Sequence, residues 1–491
     1  MEVVDIRPIL APMLSLVCAG LIFLTGRQAF WRRMWSLLAA ALKLGVVMSM
    51  LPGTLNGTIY VFKLTDFTPG IGLGFRVDAL GMFFAIVSST LWLLTTIYAI
   101  GYMEPEESKV RFFGFFALCV STTVGIAFAE NLLTLFLFYE SLTIVTYPLV
   151  IHEETPAAFK AGKKYLVYTL IGGAFILLGT VLTYHTAGTL TLSKPGILTL
   201  ANGTQTLTLL FVTLIAGFGV KAAIMPLHGW LPTAMAAPTP VSALLHAVAV
   251  VKAGAFGILR VIYNVFGVEL LRQLNLTVWL AWLAAFTILT ASFIALFQDN
   301  FKRRLAYSTV SQLSYIILGA ALLTPMAAMA AIVHIANQAF AKITMFFVAG
   351  AIQRKTGKTS IREFAGIGYQ MPYTMGAFTV AALSFVGVPL FAGFITKWYL
   401  SLGALEAGAW WFVVVMIASA LLNAAYFLPI VYLAYFKAPP GTRFHVDEAP
   451  LTLLIPTVIC ALYVIVLGTT AEVPWMPLSL ARTAVQFFFG T

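Results

Sequence analysis

Apolar runs long enough to cross a lipid bilayer recur from one end of this chain to the other. A helix needs about 20 consecutive, mostly apolar residues to span the hydrocarbon core of a membrane. Hydrophobic residues make up 60% of the 491 residues, charged residues only 10%, and the mean hydropathy is +0.95. Such a chain has too little polar side-chain surface for a water-soluble domain, so the sequence predicts a polytopic membrane protein.

We expect an all-α fold, because lipid offers the backbone no hydrogen-bond partners and a helix satisfies its own backbone groups. By length and hydrophobicity, about fourteen transmembrane helices are predicted. Their ranges are 8–25, 34–51, 80–101, 112–128, 131–151, 165–187, 207–225, 240–262, 274–297, 304–324, 327–352, 374–401, 409–437 and 450–468.

Lysine and arginine concentrate in the loops after spans 1, 3, 5, 9, 11 and 13, as at Lys160, Lys163 and Lys164. The positive-inside rule makes these loops cytoplasmic and places both termini on the outer side of the cell (inner) membrane. The net charge of +11 therefore reflects topology and requires no nucleic acid partner. The stretch 298–304 is predicted to be an ordinary charged cytoplasmic loop. The loop near 226–239 should also lie inside but holds no Lys or Arg, which indicates a broken helix.

Two segments interrupt the helical pattern with proline and glycine. The first is 219–226, followed by further prolines, and the second is 387–397 inside span 12. Proline removes a helical hydrogen bond and clashes with the preceding turn, so helices kink or unwind there. Each break alone favours ordinary proline kinking. The breaks are five spans apart, and each has a lysine close by (Lys221, Lys397), which indicates a duplicated transporter core with its sites at the breaks.

Glu140, Lys221, Lys252, Lys342 and Lys397 each lie inside a long apolar stretch. A charge at membrane depth costs about 2.5 kcal/mol or more, so each is a functional candidate by default. Glu140 and Lys221 are predicted to pair and to hold or release one proton. The alternative is a static buried ion pair that fixes helix packing. For Lys397, near an end of span 12, the alternative is snorkelling to the interface.

Two histidines extend this set. His246 is predicted to share a helix face with Ser242 and Thr239, a polar line that water could follow, although a hydrogen-bonded packing role is equally open. Lys252 lies farther along the same span, about 9 Å away along the axis.

In span 11, His334, Gln338 and Lys342 follow at i, i+4 and i+8 on one helical face. Such a face either lines a hydrated path or bonds to neighbouring helices.

A buried lysine suits proton relay because desolvation disfavours its charged form, so it can lose and regain a proton. The sequence contains no nucleotide motif, haem ligand set or cluster-binding pattern, so no cofactor and no metal is expected. Cys18, Cys119 and Cys460 lie singly in apolar segments and are predicted to be small core residues.

Several motifs resemble, in the same order, those of the antiporter-like subunits of respiratory complex I, Mrp-type multisubunit cation/proton antiporters and membrane-bound hydrogenases. They are FYE at 138–140, KAAIMPLHGWLPTAMAAPTPVSALLH at 221–246, KRRLAYS at 302–308, the 334–342 face and AGFITK at 392–397. The resemblance runs from about residue 75 to 435. The sequence around Lys252 and the single lysine at position 397 are most similar to the D-type member of the Mrp antiporters and to the hydrogenase type.

The resemblance implies two inverted five-helix repeats, spans 4–8 and 9–13, with broken helices 7 and 12. Each repeat forms a half-channel, a polar path from one membrane face to the middle of the bilayer. The predicted units are helices 1–3 (1–111), the first repeat (112–262), the second repeat (274–437), and helix 14 with the C-terminal tail (438–491).

The resemblance also implies roles for individual residues. Glu140 and Lys221 match the pair of the first half-channel, and His246 and Lys252 match its connection to the centre. Lys342 matches the central lysine of the second half-channel and Lys397 its terminal lysine. The family often has a second histidine where this chain has Gln338.

The predicted function is translocation of protons, or exchange of sodium for protons, by a subunit that works with other membrane subunits of a larger complex. That complex fits an antiporter, a hydrogenase or a quinone oxidoreductase, and the subunit itself needs no cofactor. Two alternatives are a self-sufficient transporter of a solute and a scaffold subunit that moves no ions.

Overall fold

The computed structural model describes residues 1–68, 71–437 and 445–490. Helices dominate it, as the apolar spans predict. The α-helices are α1 (Arg7–Thr25), α2 (Ala29–Leu55), α3 (Ala79–Tyr102), α4 (Lys109–Ala127), α5 (Leu132–Val150), α6 (Pro156–Ala187), α7 (Thr204–Lys221), α8 (Trp230–Thr233), α9 (Thr239–Ala247), α10 (Val250–Arg260), α11 (Val268–Leu274), α12 (Leu276–Leu296), α13 (Phe301–Ala321), α14 (Pro325–Thr356), α15 (Ile367–Gln370), α16 (Pro372–Val386), α17 (Ala392–Glu406), α18 (Trp411–Phe436), α19 (Leu451–Thr469) and α20 (Pro477–Phe489).

Within the described residues, 12 helices are long and apolar enough to cross a membrane, with Thr239–Phe266 counted as one. Two predicted spans lie outside this group. Span 10 is α13, whose first turn is basic, and span 12 is divided into α16 and α17. The chain is a multi-pass membrane protein with the predicted all-α architecture.

Some boundaries differ from those predicted. Helix α6 begins at Pro156, so Lys160, Lys163 and Lys164 belong to its first turns and not to a loop. Thr155 caps this helix by accepting a hydrogen bond from the Ala158 amide at 3.1 Å. Helical turns outside the lipid can consist of polar and basic residues. A prediction from hydropathy therefore misses such turns.

The hydropathy pattern does not predict a small sheet, which has one strand before α1 and two between α2 and α3. Strands β1 (Glu2–Val4), β2 (Ile59–Thr68) and β3 (Ile71–Val77) pair in the order β1-β2-β3, parallel and then antiparallel. The Arg76 amide donates to the Phe128 carbonyl at 2.7 Å and ties β3 to the end of α4.

The C-terminal helix α20 is a further element that the apolar spans do not include. It is amphipathic and packs its apolar face, including Leu480, Ala484 and Phe488, against α3 and α14. The Phe488 ring stacks on Tyr263, with ring centroids 4.6 Å apart. The helix therefore lies against the bundle and does not continue α19.

The two predicted helix breaks are present. Helix α7 ends at Lys221, and the chain turns before α8; α16 ends at Val386 and α17 begins at Ala392. Gly387, which follows α16, has a φ of +94°, a conformation that favours glycine. The inverted relation between the two repeats stays a prediction.

A third break is present that the sequence does not predict. Span 8 is interrupted between α9 and α10, and a π-helical turn (Val261–Phe266) follows α10. The expectation that His246 and Lys252 lie on one continuous helix is therefore wrong, because the break falls between them.

Helix α14 is the centre of the bundle. Every residue from Ala327 to Ile352 is buried. The helix packs against α3, α9, α13, α16, α17, α19 and α20. The candidate residues of spans 8, 11 and 12 are thus gathered around one buried helix.

Candidate functional site

Lys221 is the last residue of α7 and is fully buried. Its ammonium donates to the Tyr139 carbonyl at 2.5 Å and lies 3.5 Å from the centroid of the Tyr139 ring. The Trp230 indole donates to the Val220 carbonyl at 2.8 Å, and the Ala223 amide donates to the same carbonyl at 3.1 Å. The break therefore holds the lysine side chain against α5.

Glu140 follows Tyr139 in α5, and its carboxylate faces α6. A Cβ on Gly173 would lie 2.5 Å from Glu140 Oε1, so glycine leaves room for the carboxylate in its observed position. Oε1 is buried and has no hydrogen-bond partner among the described residues.

The predicted pairing of Glu140 with Lys221 is not a direct contact. Both residues lie in the described part of the chain, and no ion pair joins them; Lys221 bonds to Tyr139 instead. The carboxylate and the ammonium nevertheless attract each other electrostatically. The two charged groups are therefore close but not in contact. The packing of the helices sets their separation, which the sequence alone does not predict.

His246 and Lys252 lie on either side of the third break. Gln338 Nε2 of α14 donates to the His246 carbonyl at 3.3 Å, and the His246 ring is 4.8 Å from that of Phe346. Neither His246 ring nitrogen has a hydrogen-bond partner in the described ranges, and the same holds for the ammonium of Lys252, which is 1% exposed. Lys252 repels both His334 and Lys342 electrostatically. The break thus turns two titratable groups towards α14.

Lys342 of α14 is fully buried against α13 and α16. Its ammonium donates to Ser308 Oγ at 2.6 Å and lies 4.1 Å from the centroid of the Phe385 ring. Its partners are therefore a hydroxyl and an aromatic face, both neutral.

His334, Gln338 and Lys342 do not all contact the same neighbour. His334 Nδ1 is 3.2 Å from Thr396 Oγ1 of α17, whereas Gln338 bonds to α9 and Lys342 to α13. Three side chains on one α14 face therefore link three different helices.

The side chain of Lys397 in α17 reaches back to the C-terminal end of α16. Its ammonium donates to the carbonyls of Phe385 and Val386, both at 2.7 Å. These carbonyls are free at a helix C-terminus, where a cation is stabilised. Lys397 therefore lies inside the second break, and the alternative of snorkelling to the interface is wrong.

The expectation of an ordinary loop at 298–304 is also wrong. Lys302 and Arg304 belong to the first turn of α13. Lys302 donates to the Ala237 carbonyl at 2.8 Å, and Arg304 donates to the carbonyls of Leu296, Gln298 and Tyr426. Lys302 and Arg304 therefore connect α13 by hydrogen bonds to neighbouring helices and to the segment that follows the first break.

One further buried lysine is absent from the predicted candidates. Lys43 of α2 is fully buried, its ammonium has no hydrogen-bond partner in the part of the chain that the structure describes, and it lies 5.7 Å from the Trp92 ring centroid. Its signal is present in the sequence, since Lys43 interrupts the apolar run of span 2. No group of histidine, cysteine and acidic side chains within the described ranges has the arrangement of a metal site.

The sequence of this chain, with its buried charges and broken helices, also matches a known protein family. A family model described as NADH:quinone oxidoreductase/Mrp antiporter, TM, matches residues 129–422, which is more than half of the chain. The chain belongs to this family. A second model, NADH-Ubiquinone oxidoreductase (complex I), chain 5 N-terminus, matches residues 67–113. The resemblance to antiporter-like subunits is thereby confirmed.

Individual family members are similar over most of the chain. NADH-quinone oxidoreductase subunit N of Desulforudis audaxviator is 34% identical over 436 residues, 85% of this chain and 86% of that protein. The A/B subunit of a probable K(+)/H(+) antiporter of Rhizobium meliloti is 33% identical over 361 residues, 72% of this chain but only 35% of that protein.

Two solved structures share the fold. A chain of the membrane-bound sulfane sulfur reductase, an archaeal respiratory membrane complex, superimposes with a TM-score of 0.90 at 26% identity, covering 99% of this chain and 98% of that one. A chain of the Mrp complex from Dietzia sp. gives a TM-score of 0.88 at 20% identity over 98% and 97% of the two chains. The second likeness shows the fold alone.

Proposed function

We propose that this protein is an antiporter-like subunit that translocates protons, or exchanges sodium for protons, within a larger membrane complex. The observation that carries the proposal is the set of partners of the buried lysines. Lys221, Lys342 and Lys397 are held by carbonyls, a hydroxyl or an aromatic face, all of them neutral. Lys342 and Lys397 can therefore release a proton without leaving a buried carboxylate unpaired, which a permanent ion pair cannot do.

The order of the groups supports a path across the bundle. Lys221 and Glu140 form the first station, at the break after α7. Lys252, at the break between α9 and α10, interacts with Lys342 across the bundle. Lys397 of α17 is the last station, and its ammonium lies at the break between α16 and α17. Because neighbouring positive charges repel, a proton gained at one lysine favours release from the next.

Membership of a larger complex follows from the relatives. One is named as a subunit of NADH-quinone oxidoreductase and another as a subunit of a probable K(+)/H(+) antiporter, and both solved neighbours are parts of complexes. We propose that other membrane subunits are the partners of this chain and supply the driving reaction or the exchanged ion. We further propose that both termini face outward from the cell membrane, as the loop charges predict.

The test is coupled transport by the complete complex in lipid vesicles. Lys221→Ala and Glu140→Ala are expected to abolish ion-coupled pH changes, followed with a pH-sensitive dye, while the complex still assembles. Lys358→Ala is a matched control because Lys358 follows the end of α14, outside the path. Normal transport by both path variants would make the two charges structural and would end the proposal.

A further inference from the structure

A cavity of about 270 Å³ opens between the α3–α4 loop and the α5–α6 loop. Four carboxylates line it, those of Glu106, Glu107, Glu153 and Glu154, together with His152. Both loops belong to the face predicted to be cytoplasmic. The cavity contains none of the lysines of the proposed path.

His152 gives this acidic cavity a feature that solvated carboxylates alone do not have. It is 7% exposed, its ring packs edge-on to Phe112 at 5.3 Å, and its Nδ1 is buried with no hydrogen-bond partner in the described chain. A buried polar atom without a partner costs about 1–3 kcal/mol. An unpartnered ring nitrogen at the wall of an acidic cavity is a place where a proton can bind.

A chain of contacts joins this cavity to the first break and to α9. Glu153 and Lys302 attract each other electrostatically. Lys302 donates to the Ala237 carbonyl at 2.8 Å, and Ser242 Oγ donates to the same carbonyl at 3.2 Å. Ser242 is one helical turn before His246, whose ring nitrogens are both unpartnered among the described residues. The contacts therefore end on α9, one turn away from His246.

A second set of contacts reaches the same helix. Glu106 forms an ion pair with Arg354, and the Arg354 guanidinium lies 4.3 Å from the centroid of the Tyr102 ring. Thr239 Oγ1, at the start of α9, donates to the Tyr102 hydroxyl at 3.3 Å. Both sides of the cavity are thus connected to α9.

We propose that this cavity is the proton entrance of the protein, in which Glu153 and His152 take up protons and Glu153 passes them to Lys302, whose side chain is held next to α9 by the Ala237 carbonyl. The inference rests on the proposed function and adds to it a site of uptake. No covalent step is involved; each transfer moves one proton between two groups.

The electrostatics of the two uptake residues support this role. Desolvation raises the pKa of Glu153, and Glu106 adds to the rise, whereas Lys302 and Arg354 oppose it. Burial lowers the pKa of His152, as does Arg111, against the opposing effects of Glu106, Glu107 and Glu154. A raised carboxyl pKa and a lowered imidazole pKa bring the two groups closer in proton affinity, which favours transfer between them.

The experiment compares Glu153→Gln and the Glu153→Gln/His152→Gln double variant with the unaltered complex in vesicles, from pH 6 to pH 9. Both variants are expected to lose turnover by about tenfold at pH 8.5, where protons are scarce and an acidic collecting site raises their arrival rate. At pH 6 the loss is expected to shrink to less than about twofold, because bulk protons then suffice. Glu153 lies in a surface loop, so its single variant leaves the helical core intact.

Glu104→Gln is the matched control, since it removes a carboxylate from the same face that is exposed and paired with Arg33 outside the cavity. It is expected to behave as the unaltered protein. Turnover of the Glu153 variants that is unchanged at every pH, or reduced equally at every pH, would overturn the entrance. Lys221→Ala, measured alongside, separates the two hypotheses. If this variant loses transport at all pH values, the proposed function is retained even if the entrance fails. If it transports normally, the proposed function itself is rejected.

Discussion

Lys221 donates a hydrogen bond to the backbone carbonyl of Tyr139, the residue next to Glu140, and lies against the face of the Tyr139 ring. The ammonium is thus held by neutral groups beside a carboxylate that it does not contact. Cation–π contacts contribute about 0.5–2 kcal/mol, so this arrangement competes with ion pairing without excluding it. We infer that the lysine has two alternative partners, Tyr139 and Glu140, and that protonation of Glu140 favours the observed one.

Gly173→Ala tests whether the position of the Glu140 carboxylate matters. The added methyl group would lie 2.5 Å from Glu140 Oε1 and 2.6 Å from Cδ, so the carboxylate must move. Because the carboxylate is the end of a flexible side chain, it can shift at a small cost in stability. We expect a nearly unchanged melting temperature and a clear loss of coupled transport in vesicles.

Gly376→Ala is the corresponding control in α16. A Cβ there meets nothing within 4 Å, and alanine favours a helix over glycine by about 0.5–1 kcal/mol. This variant should transport normally and melt at the same or a higher temperature. Equal transport by the two glycine variants would show that the carboxylate position does not limit turnover.

Lys43→Met is predicted to stabilise the protein. The ammonium of Lys43 is fully buried without a hydrogen-bond partner in the described ranges, and methionine fills a similar volume. Removing an unpaired charge at membrane depth should gain roughly 2 kcal/mol, measured as a raised melting temperature of the complex in detergent. Lys43→Arg keeps the charge and should show no such gain.

Transport is the second measurement on Lys43. None of the described contacts connects it to the residues of the proposed path, so Lys43→Met should retain coupled transport. Loss of transport by a correctly assembled Lys43→Met complex would instead add Lys43 to the translocating groups.

The apolar spans are predictable from sequence because lipid leaves the backbone only one local solution, the helix. The breaks at Lys221 and Lys397 are also predictable, since proline and glycine act locally. The break between α9 and α10 has no such local signal: its residues, Val248 and Ala249, are ordinary apolar ones. Strand β1 pairs with β2, which lies far along the chain, and β2 pairs with β3; a hydropathy pattern contains neither pairing.

The candidate residues themselves are visible in the sequence as charges in apolar runs, but their contacts are not. Lys221 bonds to Tyr139, and Gln338 to His246, because tertiary packing sets the distances between spans. The sequence around Lys302 indicates a loop because basic residues at a membrane edge usually are solvated. In the fold Lys302 bonds to the carbonyl of Ala237, 65 residues away in sequence.

The last prediction separates proton relay from simple charge placement at Lys342. Its ammonium bonds to Ser308 and faces the Phe385 ring, so arginine would preserve the positive charge and the cation–π contact. Arginine does not release its proton in proteins. If Lys342 relays protons, Lys342→Arg should lose turnover on the order of a hundredfold, nearly as severely as Lys342→Ala, because proton transfer by a positioned group contributes about that much or more. Lys355→Arg near the end of the same helix, where Lys355 pairs with Asp447, is the control and should transport normally. Near-normal turnover of Lys342→Arg at matched expression would limit this lysine to an electrostatic or structural role.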